Sequence, residues 1–370
     1  MIQIHHLPTG TLTLDILHGD FPPDRLFAVG ARLNPKRAFL FVSKVLGKHY
    51  PADVRSLPPV YRALADKLPP PGQNPVLFVG MAETATALAQ GVFEAWLERY
   101  PQADALYLHT SRLRVAGTEV CPFEESHSHA GRQWLHLPAD KEGLLLLQNA
   151  GRLILIDDEL STGNTFRRLA QALARRFGRR FDVHWACLTD FCPDNQDEGI
   201  SRHSLLRGCW RFDAGQTRPA PAPAAQAAVP VDIADSGSGR LGVRYALCLP
   251  DTLLQAYAAR HCASDRILVL GTGEYIHPPT VFARGLAARC GAEVFIQSST
   301  RSPAENWGAL QHRRPFADPY GEGVPYYLYN LPPDHSYSHI YICHEHRANG
   351  ALVATAAELS AELVCLGCPA

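Results

Sequence analysis

Residues 152–173 read RLILIDDELSTGNTFRRLAQAL. Arg152 to Ile156 is a short apolar run of the kind that forms a buried parallel strand. It stops at two carboxylates, Asp157 and Asp158, and then at small polar residues, Ser161, Thr162, Gly163, Asn164 and Thr165. From Phe166 the apolar positions recur at three and four (Leu169, Ala170, Leu173), which predicts a helix. The carboxylates therefore sit at the carboxyl end of a strand, where an open α/β sheet binds ligands. The turn sits at a helix amino terminus, where N–H groups, hydroxyls and the helix dipole cradle phosphate. Two adjacent carboxylates beside a phosphate suit the vicinal hydroxyls of a ribose, or a divalent metal bridging ribose and phosphates. Helix capping accounts for one polar residue in such a turn, not for two carboxylates and five small positions. A Walker A phosphate loop is excluded here, because no G-K-[ST] follows the strand.

This order of strand, acid pair, T-G-x-T-like turn and helix resembles the 5-phosphoribosyl-1-diphosphate (PRPP) motif of type I phosphoribosyltransferases. The resemblance implies that Asp157 and Asp158 hold the ribose hydroxyls, directly or through Mg2+, with Glu159 beside them. Ser161 to Thr165 would hold the 5-phosphate. Hypoxanthine-type relatives carry an acid where Ser161 stands, so its absence argues against a purine acceptor and for an orotate-like or other, unusual nucleobase-like one.

The rest of the chain fits around that motif. Its 370 residues are too many for one ordinary core and suggest two domains. A net charge of −1 gives no general attraction to nucleic acid or to an anionic membrane, so phosphate binding must be local. No stretch reaches transmembrane length and the first residues lack a signal-peptide pattern, so the expectation is a cytoplasmic protein without a membrane partner. Its ten cysteines are then expected to be reduced, buried or incidental. Residues 1–30 alternate as a hairpin or edge strands would. Residues 31–50 carry Arg32, Lys36, Arg37, Lys44 and Lys48. These read equally well as a solvated helix face or as cations that meet the diphosphate of PRPP, Lys44 and Lys48 above all.

Residues 76–97 repeat the strand–turn–helix pattern with Gly80, Met81, Ala82, Glu83 and Thr84 in the turn. The resemblance makes this the diphosphate loop, acting through backbone N–H groups, with Glu83 orienting a backbone or a cation. The next strand ends at Thr110, Ser111 and Arg112, and Arg112 is the expected diphosphate partner, ahead of Arg114. The polar segment 117–133 stands where the family carries a hood loop. Within and around it Glu124, Glu125, His127 and His129 are candidates for acid–base work, because histidine titrates near neutrality.

Residues 1–210 thus read as a phosphoribosyltransferase domain and residues 211–239, rich in Ala, Pro, Gly and Ser, as a linker. Residues 240–370 repeat the landmarks: an apolar strand, then Gly271, Thr272, Gly273 and Glu274, a helix, a strand, then Thr300, Arg301 and Ser302. Gly80 answers to Gly271, Glu83 to Glu274 and Arg112 to Arg301. Cys343, His344 and Glu345 fall where Asp157, Asp158 and Glu159 stand. This reads as a duplication whose second copy has lost the acid pair. Its Gly271–Glu274 turn, Arg301, His344 and Glu345 are left as a second candidate site, and the spacing of Cys365 and Cys368 is weak support for metal.

NPKRAFLFVSKVLGKHYP and FEESHSHA in the first half, with Thr300-Arg301-Ser302-Pro303 in the second, resemble a bacterial family. These are orotate-phosphoribosyltransferase-like proteins of tellurite-resistance (Ter) stress operons, followed by a TRSP domain. The fold expected is α/β: a type I phosphoribosyltransferase-like parallel sheet with flanking helices, then a second, diverged domain of the same kind. The activity implied is a Mg2+-dependent transfer of ribose 5-phosphate between PRPP and a nucleobase-like acceptor, in a homodimer. The rival is a PRPP- or nucleotide-sensing regulator that kept the cradle and lost turnover. A hydrolase or ligase at residues 271–274 is a third class.

Overall fold

A computed structural model describes residues 1–32, 34, 37–124, 132–193, 199–215, 230–231, 233 and 237–367. Among these, nine strands form one sheet. At its centre Ser201–Ala214, Asp182–Asp190, Arg152–Leu160, Val76–Gly80 and Ala105–Ser111 run parallel, in that order. Parallel strands are covered on both faces, which is why VLFV and LILI are unbroken apolar runs rather than alternating ones. The Ile2–Leu7 and Gly10–Gly19 hairpin closes one edge, and Val120–Glu124 with Arg132–His136 the other, all antiparallel. No helix is long and apolar enough to cross a membrane among the described residues.

The second half builds a smaller sheet in the order Glu362–Cys365, His339–His344, Arg266–Gly271, Glu293–Ser298. These strands are parallel. With Gly271 set on Gly80, this is the order of Asp182–Asp190, Arg152–Leu160, Val76–Gly80 and Ala105–Ser111. The helices follow the same strands: Thr86–Arg99 and His277–Cys290 are both 14 residues long and begin three residues after Glu83 and Glu274. The expected duplication is therefore present in topology.

Register refines one expectation. Ile156 pairs with Gly80, whereas Leu270 pairs with Ile342, so one further step sets Cys343 against Gly271. Cys343 therefore answers to Ile156, and His344 and Glu345 stand in the places of Asp157 and Asp158. The sequence spacing was off by one because the loops between these strands differ in length.

Two further expectations shift. The strand Ser201–Ala214 runs past residue 210, and the end of the supposed linker is docked rather than loose. Pro230–Val231 pairs with Arg114–Val115, His109 donates to the Gly239 carbonyl at 3.1 Å, and Tyr107 and Val243 exchange two bonds at 2.9 Å. Among the described residues of 31–50 there is no helix: Phe27–Ala31 and Phe39–Ser43 pair as a two-stranded ribbon. Beyond it, Ala52–Asp53 adds an antiparallel edge to the second sheet.

The helix Thr86–Arg99 explains why its sequence lacks a polar face. It is covered by its own sheet on one side and by the second half on the other, so even Gln90 and Glu94 are buried. Buried polar groups need partners. Glu94 bonds His277 at 2.8 Å and accepts from the Leu247 N–H, while Gln90 donates to the Gly237 carbonyl. One apolar core runs through both halves, from Leu57, Val60 and Phe93 to Phe282, Ile296 and Tyr341.

Candidate functional site

The acid pair lies half-buried in the second half of the strand Arg152–Leu160, which does not stop at Ile156 as its apolar run suggested but stays paired with Asp182–Asp190 out to Leu160. The Asp157 carboxylate accepts from the Asp158 N–H at 2.9 Å, which holds the two side chains at one strand end. Burial and the Glu159 charge push the Asp158 carboxyl above the usual range, against hydrogen bonds from Asp157 and Thr84. Two adjacent carboxyl groups with like charge beside them suit a hard cation such as Mg2+, carried by ribose oxygens or water rather than by a full protein cage. Glu159 lies elsewhere: Arg37 grips it through two contacts, at 2.8 and 3.0 Å, and stacks on Phe39, Phe41 and Trp210. Its carboxylate is thus a structural counter-ion.

The turn at residues 161–165 is shaped by Gly163. Its φ of +69° favours glycine, and a Cβ there would stand 2.5 Å from the Trp185 ring. The N-cap Gly163 offers no side-chain bond to the helix Asn164–Phe177 that follows, and the Asn164 N–H reaches the Thr162 hydroxyl at 3.4 Å, so the turn presents a helix amino terminus of the kind that suits an anion. Arg167 lies over Trp185 and bonds the Thr162 carbonyl at 2.9 Å and the Asn164 side chain at 2.7 Å. That cation belongs to the cradle. Sequence reading missed it, although an Arg one turn inside a phosphate-binding helix was visible.

The loop Gly80–Thr84 meets the acid pair. Met81 N–H donates to the Ile156 carbonyl at 2.9 Å, and the Thr84 side chain acts on Asp158, favouring its charged form. Ala82 N–H donates to the Thr110 hydroxyl at 2.8 Å, tying the loop to the strand end that carries Arg112. The loop Gly80–Thr84, the acid pair and the turn at residues 161–165 are therefore side by side, and Arg112, half-buried, follows the strand end that Ala82 bonds.

The lysines are placed differently. Lys48 is 1% exposed and bonds the carbonyls of Gly273 and Ser299, at 2.6 and 2.8 Å, and Glu83 at 2.7 Å. Burial lowers its pKa while Glu83 raises it. Three acceptors, one for each ammonium N–H, keep it charged. It clamps the halves together instead of facing a diphosphate. Lys44 borders an open cleft of about 670 Å3 between the ribbon and the second half, with Tyr50, Arg266 and Tyr337, and Asp157 and Asp158 are not in its lining. His127, His129 and Glu125 lie outside the described residues, and of Glu124 only the backbone is described.

Second-half residues form a closed polar cluster. Glu345 is buried and takes two bonds from Arg240, at 2.8 and 3.1 Å, and one from Tyr320 at 2.6 Å. Arg301 bonds Tyr326 at 2.8 Å and Glu322 at 2.6 Å. Glu322 is pushed up to about 7, burial outweighing the Arg301 charge. His344 holds the His346 carbonyl through Nδ1. The carboxylate standing at the Asp158 position is thus neutralised from within, which leaves no acid pair facing a sugar. Thr300 exchanges backbone bonds with Tyr327, and the Ser302 N–H bonds the Thr300 hydroxyl, so both shape the Arg301 turn. Among the described residues, the side chains close enough to share a metal are His261, Asp265 and His339, around the starts of the second sheet's strands.

Residues 26–206 match a family model described as phosphoribosyl transferase, and residues 238–363 match the TRSP domain described as C-terminal to it. No curated protein matches the chain. Among solved structures it is similar to adenine phosphoribosyltransferase from Thermoanaerobacter pseudethanolicus, at 17% identity, covering 50% of this chain and 96% of that one, TM-score 0.32. The enzyme of the same name from Rhodothermus marinus stands at 15%, with 50% and 94% covered, TM-score 0.31. That from Trypanosoma brucei, bound to AMP, pyrophosphate and ribose-5-phosphate, stands at 13%, with 56% and 86% covered, TM-score 0.33. Likeness at this level says nothing about an acceptor.

Proposed function

We propose that this enzyme, whose residues 26–206 match a phosphoribosyl transferase family model and whose residues 238–363 match the TRSP domain that follows it, moves ribose 5-phosphate between PRPP and a nucleobase-like acceptor. The observation that carries this reading is the meeting of three parts on two neighbouring parallel strands. The Met81 N–H bonds the Ile156 carbonyl at 2.9 Å, and Thr84 acts on Asp158, with the helix start at residues 163–164 following on the same strand.

In the forward direction the bond from ribose C1 to the diphosphate oxygen breaks, and the diphosphate leaves with the electron pair. The bond from C1 to the acceptor nitrogen forms, and the acceptor gives up a proton. The state between is oxocarbenium-like, so the site must hold a departing anion and exclude water. Asp157 and Asp158 fix the ribose hydroxyls. The turn at 161–165, with Arg167, holds the 5-phosphate. Backbone N–H groups of the loop Gly80–Thr84, with Arg112, receive the diphosphate. Bound Mg2+ would neutralise charge on the departing diphosphate, held by Asp157 and Asp158 through ribose oxygens or water. Within the segment 117–133, Val120–Glu124 and Arg132–His136 are paired strands, and Glu125, His127 and His129, between them and outside the described residues, are the acid–base groups of this reading.

The acceptor is orotate-like, since Ser161 stands where a purine-specific acid would, and the setting is a bacterial stress or tellurite-resistance pathway. The test is incubation with PRPP, Mg2+ and a panel of bases. Diphosphate release that disappears in Asp157→Asn/Asp158→Asn, by at least about a hundredfold, supports the transferase. PRPP binding without release for any base would make the protein a sensor.

A further inference from the structure

The two glutamates of the duplicated turns are crossed. Glu274, in the second half, does not serve its own sheet. Its carboxylate takes the Ser111 hydroxyl at 2.6 Å and the Arg112 N–H at 2.5 Å, both on the strand end that closes the first half's diphosphate pocket. Glu83, in the first half, takes the Arg301 N–H at 3.4 Å and pairs with the Arg301 guanidinium at 3.9 Å. Gly80 set on Gly271 makes Glu83 the counterpart of Glu274 and Arg112 the counterpart of Arg301. Each half thus gives the other the same residue for the same task, the reciprocal pattern of an isologous interface. The internal frame repeats as well: Ala82 N–H bonds Thr110 at 2.8 Å, and Gly273 N–H bonds Ser299 at 3.0 Å.

From this geometry we infer that Glu274 is a positioning residue for the transfer reaction: it holds Ser111 and Arg112 in the conformation that receives the diphosphate, so the phosphoribosyltransferase site is complete only with the TRSP domain in place. This rests on the reading of the preceding subsection.

The chemistry fits the task. Ser111 bonds Glu274 through its hydroxyl and in turn accepts the Leu113 N–H at 3.0 Å, so one carboxylate sets three consecutive residues. Glu274 is 2% exposed, and a buried charge-assisted bond of this kind is among the strongest available to a loop. The turn that carries Glu274 is itself pinned to the first half. Lys48 bonds the Gly273 carbonyl at 2.6 Å and the Thr86 hydroxyl bonds the Glu274 carbonyl at 3.0 Å. Arg240 lies 3.6 Å from the carboxylate, at the junction. A carboxylate that only glued two domains would need no bond to the backbone beside the diphosphate arginine.

The experiment measures binding of three probes to the full chain with Mg2+: PRPP, inorganic diphosphate and ribose 5-phosphate. Glu274→Gln keeps the shape and loses the charge. The expected result is PRPP and diphosphate affinities each lowered about tenfold, with ribose 5-phosphate unchanged, since that probe depends on Asp157, Asp158 and residues 161–165. Ser111→Ala, which leaves Glu274 in place, gives the same pattern more weakly and serves if Glu274→Gln does not fold. His277→Gln cuts a junction bond two turns along the helix, to Glu94, and leaves all three affinities as they were. Glu274→Gln or Ser111→Ala binding every probe as wild type does, or losing all three alike, overturns the inference. A wild-type chain that binds none of the probes overturns the transferase reading itself.

Discussion

Glu83 is where local chemistry and long-range folding meet. Burial alone would raise its carboxyl, but Lys48, Arg301 and Arg112 outweigh burial and bring it down to about 2, from an ordinary 4.5. A carboxylate held below its unfolded value stabilises the fold fully above pH 4.5 and loses that contribution as pH falls from 4.5 to 2. The shift corresponds to about 3 kcal/mol. Acid unfolding of the wild type is therefore expected to steepen across that window. Glu83→Gln, less stable at pH 7 because Lys48 is left buried without its counter-charge, should show a flatter slope there. Equal slopes for the two proteins would mean that Glu83 is not held ionised by its cations. The acid pair and the polar turn at 161–165 were legible from spacing alone, because strand, turn and helix are consecutive. The Glu159–Arg37 pair was not, because 122 residues separate its members and nothing local marks either one.

At the scale of elements, the helix Thr86–Arg99 carries the junction. Gly91 faces Tyr61 on the helix Leu57–Ala65, and an added Cβ would lie 2.3 Å from two ring carbons. Alanine would gain about 1 kcal/mol of helix propensity. Overpacking costs about 1–3 kcal/mol, and Tyr61 is 2% exposed with no room to withdraw. Gly91→Ala is thus expected to destabilise by about 1 kcal/mol in urea unfolding; a stabilised variant would mean that the ring swings aside. The same helix shows the limit of periodicity. Its sequence predicts a helix correctly, but a helix buried all round presents no polar stripe to say which faces are covered.

For the whole molecule, the continuous core and the clamp of Lys48, Glu83, Glu274 and Arg301 make the halves mechanically one body. A single cooperative transition is expected in calorimetry and in denaturant, followed by fluorescence and circular dichroism alike. Two separated transitions would show that the junction is a weak contact between independent domains. Composition suggested such independence, since a segment rich in Ala and Pro reads as a spacer. That segment is instead bonded to His109 through Gly239 and to Arg114–Val115 through Pro230–Val231, and Ala52–Asp53 lends a strand to the other sheet.

The acid pair, the polar turn at 161–165 and the doubled Gly-x-x-Glu landmark could all be read from neighbours along the chain, because each is written within a few tens of residues. The fates of Lys48, Glu159 and Glu274 could not. A charged side chain reads the same in a sequence whether it meets solvent, substrate or a buried partner more than a hundred residues away. Desolvation by the second half decides which, and that depends on how the two copies close on one another.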